Sequence, residues 1–196
     1  AARSLAKAML KQKHTSIFVS YNEEESKEKI VYAKELYDSM PMKWKLSRKL
    51  KYDNKTSLVF EKAGPDSFET RILSYPQRII RGKGGEIDID FDEAAHWMHL
   101  RKIYTSAMPA LSRGSNSTLW IGSSPSGKSG LYYDIGINRD NEYSPFVRVT
   151  APWWVIDEFC TDTKTGNKVA WEMHTDERVA LFATDRLKLI RRAMTL

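Results

Sequence analysis

The sequence predicts an α/β domain with a largely parallel sheet flanked by helices. Strand-like apolar runs alternate with helical patterns along the chain, the order that βαβ units produce. The runs are short and bounded by Gly, Pro, Asn and Ser, as strands of such sheets are. With 196 residues, 41% of them hydrophobic, the chain is long enough for one core, and one domain over 1–196 is the expectation.

Taken in order, residues 1–12 carry a helical pattern, with Leu5, Ala8 and Met9 on one face and Arg3, Lys7 and Lys11 elsewhere. No N-cap precedes them and no Met opens the chain, so the sequence reads as a fragment that starts inside a helix. A strand is predicted over 15–20. Asn22, with Glu25 three residues on, then caps a helix to about Met40 that buries Ile30, Ala33, Leu36 and Tyr37 and is closed by Pro41. Residues 42–56 hold five lysines and one arginine around Trp44 and Tyr52, a basic-aromatic stretch that reads as a solvated connector or a nucleic-acid contact. Strands at 57–61 and 70–74 flank the turn Gly64-Pro65-Asp66. A glycine-rich basic loop, 75–85, leads to an acidic strand at 86–92. A helix over 95–107 presents Trp97, Leu100, Ile103 and Tyr104, and a strand at 118–121 enters a glycine-serine loop. A later strand is expected at 146–149 and a last helix at 185–194.

Lys and Arg number 31 against 25 Asp and Glu, a net charge of +6, which suits either a polyanion partner or an ordinary surface. A single cysteine, Cys160, excludes a disulfide framework and a cysteine zinc site and fits a reducing compartment. No secretory signal opens the chain, and no apolar run approaches the roughly 20 residues of a membrane span.

Residues 122–129, Gly-Ser-Ser-Pro-Ser-Gly-Lys-Ser, satisfy the phosphate-loop pattern G-x-x-x-x-G-K-[ST]. The match reads as false. Pro125 removes an N–H from a cradle made of N–H groups, and Gly130 and Gly136 argue against the long helix that a phosphate loop requires. Asp92-Glu93 at the end of a strand is a stronger signal. One carboxylate there can hold a Mg²⁺ shell and its neighbour can deprotonate water. Asp88, Asp90 and Asp92 alternate with Ile87, Ile89 and Phe91, which also allows a metal-dependent nuclease holding ions on an acidic strand, or a plain half-exposed strand. His96 and His99, with Asp92, are a weaker candidate metal set on one helix face.

In order and spacing these motifs resemble the ATPase domain of large terminase subunits, the DNA-packaging motors of tailed phages. The residues are Arg81-Gly82, then Phe91-Asp92-Glu93-Ala94-Ala95, then Ile121-Gly122-Ser123-Ser124-Pro125-Ser126-Gly127 with Leu131-Tyr132-Tyr133 after it. The resemblance spans roughly residues 1–150 and implies a P-loop NTPase-like sheet of the RecA/ASCE type. It implies that Asp92 holds Mg²⁺, that Glu93 activates the attacking water, and that Ser123, Ser124 and Pro125 form the coupling motif. Arg81 would be an arginine finger. The true phosphate loop would lie before residue 1 and a nuclease domain after residue 196, leaving the chain by itself inactive. The implied ligands are ATP and Mg²⁺. The implied partners are double-stranded DNA, the portal protein, the small terminase subunit and further copies in a ring on the procapsid, with no membrane, in the host cytoplasm. A helicase-like DNA-dependent ATPase with another Asp-Glu box is the alternative within the same chemistry.

Overall fold

The computed structural model describes residues 1–80, 86–114, 116–124, 126–137, 146–147, 149, 160–161 and 189–190. The chain divides into two compact units, 1–146 and 147–196. In the first, the elements are α1 (Ala2–Leu10), β1 (Thr15–Ser20), α2 (Glu23–Ser39), α3 (Met42–Ser47), β2 (Leu50–Asn54), β3 (Ser57–Phe60), β4 (Thr70–Pro76), β5 (Ile87–Phe91), α4 (Leu100–Leu111), β6 (Thr118–Ile121) and the short α5 (Gly130–Tyr132). In the second, β7 (Cys160–Thr161) and β8 (Leu189–Ile190) form an antiparallel pair. The helix expected at 185–194 therefore gives way to a strand at Leu189–Ile190. Leu187-Lys188-Leu189 alternates with the period of a strand, a signal that the helical reading passed over. Phe146, Val147 and Val149 are described outside any strand, and the rest of the expected 146–149 strand lies outside the described residues.

The sheet of the first unit runs β2-β3-β4-β1-β5-β6. β1 is parallel to β4 and β5, and β5 to β6, while β2, β3 and β4 form an antiparallel meander. It is thus an α/β fold with a mostly parallel sheet flanked by helices. Its two faces follow from strand alternation. Ile17, Val19, Ile87, Ile89 and Phe91 pack on one side with Trp97, Leu100, Ile103 and Ala107 of the α4 region. Phe18, Leu58, Phe60 and Ile72 pack on the other with Leu5, Ala8 and Met9 of α1 and Ile30, Ala33 and Tyr37 of α2. Leu36, expected in the core, is 39% exposed instead.

The acidic residues of β5 are explained by α1. A central strand covered on both faces should be apolar throughout. Here Arg3 pairs with Asp90 at 2.9 Å, Lys7 with Asp88 at 2.7 Å and Lys11 with Glu86 at 3.6 Å. The three bases are four residues apart on the helix, a rise of about 6 Å. The three acids are two apart on the strand, about 6.6 Å. The two repeats match, so one helix lays a ladder of three ion pairs along one strand, running antiparallel to it. Asp88 is fully buried and also accepts from Thr118 Oγ1 at 2.6 Å. At the other end of α1, the buried Arg48 donates to Ala8 O at 3.0 Å, satisfying a last-turn carbonyl where a cation is favoured. Arg48 was counted above in the basic-aromatic stretch, but it is a structural cap. That stretch also contains α3 and β2, neither expected from sequence.

α2 begins as predicted. Asn22 Oδ1 accepts the Glu25 N–H at 2.9 Å and Asn22 Nδ2 donates to Glu25 Oε1 at 2.9 Å, a reciprocal cap. The helix expected at 95–107 is instead a 3₁₀ turn, Ala94–His96, followed by α4 from Leu100. Trp97 interrupts it in extended conformation, with its ring 4.9 Å from that of Phe91. No helix among the described residues is long and apolar enough to cross a membrane.

Candidate functional site

The topology marks one place on the sheet. From β1 the chain passes through α2 toward the β2–β4 side; from β5 it passes through α4 on the opposite face toward β6. The carboxyl ends of β1 and β5 therefore flank a topological switch point, the crevice where open α/β sheets bind ligands. Asp92 and Glu93 lie on its rim. So does the N-terminal turn of α1, because Arg3 reaches Asp90 at the end of β5.

Asp92 extends the β1–β5 ladder, its N–H donating to Val19 O at 2.9 Å. Alternation puts its side chain on the α1/α2 face, where it forms an ion pair with Lys29 of α2. Its carbonyl accepts Trp97 Nε1 at 3.0 Å. Because Trp97 is 5% exposed and packed on Phe91, the turn that carries the two carboxylates is anchored in the core.

Glu93 has φ 54° and ψ 37°, the only positive φ outside glycine among the described residues. That left-handed turn carries its side chain to the loop after β6. Ser123 Oγ lies 3.3 Å and Ser124 Oγ 3.2 Å from Glu93 Oε2, both able to donate to it. Ser123 Oγ also accepts the Ala95 N–H at 3.1 Å, and Gly122 exchanges bonds with Phe91 O (2.8 Å) and the Ala94 N–H (3.1 Å). Tyr132 OH donates to Ser123 O at 3.0 Å. Burial, and then the Glu93 charge, push the Tyr132 phenol up, which keeps it a donor. His96 Nε2 is 3.1 Å from Ser124 Oγ and 3.7 Å from Glu93 Oε2. The carboxylate of Glu93 thus lies against two hydroxyls from the neighbouring strand's loop, the Ser123 hydroxyl having Ser124 O as a second acceptor at 2.8 Å.

The structure brings Asp92, Glu93, Ser123 and Ser124 to one edge of the sheet. Arg81 and Pro125 lie outside the described residues. The acidic-strand metal site does not form. Asp88 and Asp90 are committed to Lys7 and Arg3, and among the described residues no three His, Cys, Asp or Glu side chains group to hold a metal. His96 and His99 share no helix face with Asp92, since His96 sits in the 3₁₀ turn and His99 caps α4. The 122–129 segment leads only to the three-residue α5, continued by a π turn over Tyr133–Ile137, and Lys128 is exposed. Among the described residues no long helix stands beneath it to receive phosphates. Sequence reasoning missed Lys29 and Trp97 as parts of the site, while Tyr132 was named with the aromatics that follow the 122–127 segment. Lys29 meets Asp92 from a distant element, whereas the contacts of Trp97 to Asp92 and of Tyr132 to Ser123 span only 5 and 9 positions.

No protein-family model matches the chain, and no curated protein matches its sequence. Among solved structures, the large terminase ATPase domain of Thermus phage P74-26 is similar at 12% identity with a TM-score of 0.45. Its R139A mutant is similar at 12% identity with a TM-score of 0.46. In both cases the match covers 73% of this chain and 64% of the solved chain.

Proposed function

We propose that the chain is the ATPase motor domain of a phage terminase large subunit, which couples ATP hydrolysis to packaging of double-stranded DNA into procapsids. The observation that carries this reading is the contact of the Glu93 carboxylate with Ser123 and Ser124 at the β1/β5 switch point. A general base must be held where it can take a proton from water, and the element that holds it can report its state elsewhere. Ser123 and Ser124 couple the base to the β6 loop and, through Tyr132, to the segment that follows.

Asp92 is the residue that would hold Mg²⁺. It is a hard oxygen donor, partly exposed on the rim, and already faces a cation in Lys29. One carboxylate suffices where substrate phosphates complete the shell, which is how Mg²⁺ is usually bound. Bound there, the metal neutralises charge on the phosphates. Glu93 accepts the water proton, and the N-terminal turn of α1 directs its N–H groups toward the same crevice. On this reading the phosphate loop precedes residue 1, with α1 as its helix, and a nuclease domain follows residue 196. Arg81 is the arginine finger and Pro125 part of the coupling motif. The partners are duplex DNA, the portal protein, the small subunit and other copies in a ring, in the host cytoplasm.

The test is Glu93→Gln in the full-length protein. Hydrolysis should fall by about 10²–10⁴-fold, the contribution of a positioned base, while ATP still binds. Normal hydrolysis by that variant would remove Glu93 from the mechanism and the reading with it.

A further inference from the structure

Lys29 has no place in the chemistry above, yet it is the residue that meets Asp92. It projects from the second turn of α2 and pairs with the Asp92 carboxylate across the β1/β5 crevice, with only 30% of its side chain exposed. The neighbouring position on β1 is Ser20. Val19 is registered with Phe91, so Ser20 lies beside Asp92, and alternation places both side chains on the α1/α2 face. Ser20 is fully buried, and its hydroxyl finds no hydrogen-bond partner among the described residues. A buried hydroxyl without a partner is costly unless something else comes to satisfy it. A carboxylate and an unpartnered hydroxyl, side by side on adjacent strands, are two hard oxygen donors of the kind that divalent cations select. An ammonium now stands on the carboxylate.

We propose that Lys29 is an intramolecular stand-in for the divalent cation at Asp92. It is a tethered ammonium that neutralises the carboxylate and that the metal must displace, with Ser20 as the second oxygen donor. This rests on the reading of Asp92 as the metal carboxylate and deepens it. Without metal the ion pair keeps the charge at Asp92 balanced, and metal binding becomes coupled to a movement on α2. A lysine suits the role because its stem is flexible and its charge is a compact point. Asp90 is not available as a rival partner, since Arg3 holds it.

The experiment uses the metal alone. The full chain carrying Lys29→Gln is titrated with Mn²⁺, with free metal followed by electron paramagnetic resonance and folding checked by circular dichroism. Loss of a positive charge next to a divalent site should tighten Mn²⁺ binding by about tenfold or more. Lys29→Arg keeps the charge and should stay near wild type. Adding Asp92→Asn or Ser20→Ala to Lys29→Gln should cancel most of the gain. Unchanged or weaker binding by Lys29→Gln overturns the proposal. A second measurement leaves residue 29 in place. The lysines are reductively ¹³C-methylated, and the Lys29 signal should shift on addition of Mg²⁺ and stay put at matched ionic strength with Na⁺. A signal indifferent to Mg²⁺ also overturns it. A gain in Lys29→Gln together with normal hydrolysis by Glu93→Gln would keep the stand-in and discard the ATPase assignment; the opposite pair of results would do the reverse.

Discussion

The ammonium of Lys7 stands 2.7 Å from the carboxylate of Asp88, whose side chain has no solvent exposure. This rung fixes the height of α1 along β5 and so sets its N-terminal turn at the edge where Asp92 and Glu93 emerge. Removing one member of a buried pair leaves an uncompensated charge, at a cost of about 3–5 kcal/mol. Lys7 is 28% exposed, so the lower end of that range applies. Urea denaturation of Lys7→Met should show a loss of about 3 kcal/mol. Lys7→Met combined with Asp88→Leu should recover most of it, because the pair is then replaced by apolar groups. A single variant within 1 kcal/mol of wild type would mean that water or His14 already compensates Asp88.

Acid should weaken the fold in two steps. His14 is buried 3.7 Å from Asp88. Burial lowers its pKa, Lys7 and Lys11 add to that, and Asp88 and Glu86 only partly offset it. The unfolded chain therefore takes up a proton near pH 6.5 that the folded chain refuses, and stability falls as pH drops below about 6.5. Asp88 continues the trend. Burial alone would raise its pKa, but hydrogen bonds from Lys7 and Thr118 together with nearby positive charge bring it below the usual range. Its contribution is present above about pH 3.9 and is lost as pH falls through its lower folded value. Asp90 has the opposite sign. Burial outweighs Arg3 and raises its pKa, so its contribution is lost as pH rises through that raised value. Stability measured between about pH 5 and 7 should thus slope upward with pH, and His14→Gln should flatten the slope. An unchanged slope in His14→Gln would assign the titration to another group.

The left-handed backbone at Glu93 should be visible as stored strain. A non-glycine residue there costs about 1–2 kcal/mol, and glycine relieves it. Glu93→Ala and Glu93→Gly both lose the contacts to Ser123 and Ser124, so their difference isolates the backbone. Thermal unfolding should rank Glu93→Gly above Glu93→Ala by about 1 kcal/mol, even though both lack the carboxylate. Equal stability would show that the turn relaxes once the carboxylate is gone.

What was legible in the sequence was whatever depends on local pattern. β1 and β6 match their expected spans at 15–20 and 118–121, and the Asn22 cap is where Glu25 announced it. Asp88 and Asp90 counted against a central strand, and their partners Arg3 and Lys7 were read only as the outer face of a helix. The match between a four-residue helix repeat and a two-residue strand repeat becomes visible only once α1 is laid on β5. Arg48 was hidden for the same reason: among five lysines it reads as surface, while its partner Ala8 lies 40 residues away. At the candidate site, Asp92-Glu93 was readable because both residues stand at a strand end. Lys29 and Ser20 carried no motif, since what singles them out is register and an unmet hydrogen bond.

The phosphate-loop pattern at 122–129 supplies the sharpest remaining contrast. A phosphate-loop lysine donates to the β- and γ-phosphates, and its loss removes a charge-assisted contact worth about 1.5–3 kcal/mol, roughly ten- to a hundredfold in affinity. Lys128 is exposed, and it is followed by the three-residue α5 and the π turn over Tyr133–Ile137. Ser124, by contrast, is 3.2 Å from the Glu93 carboxylate. In the full-length protein Lys128→Ala should leave the affinity for a fluorescent ATP analogue within about threefold of wild type, well short of that loss. Ser124→Ala should bind the analogue as wild type does yet hydrolyse ATP more slowly, because Glu93, the proposed base, loses a hydroxyl 3.2 Å from its carboxylate. A large affinity loss confined to Lys128→Ala would make the 122–129 loop the nucleotide cradle, and would move the phosphates away from Asp92 and Glu93 altogether.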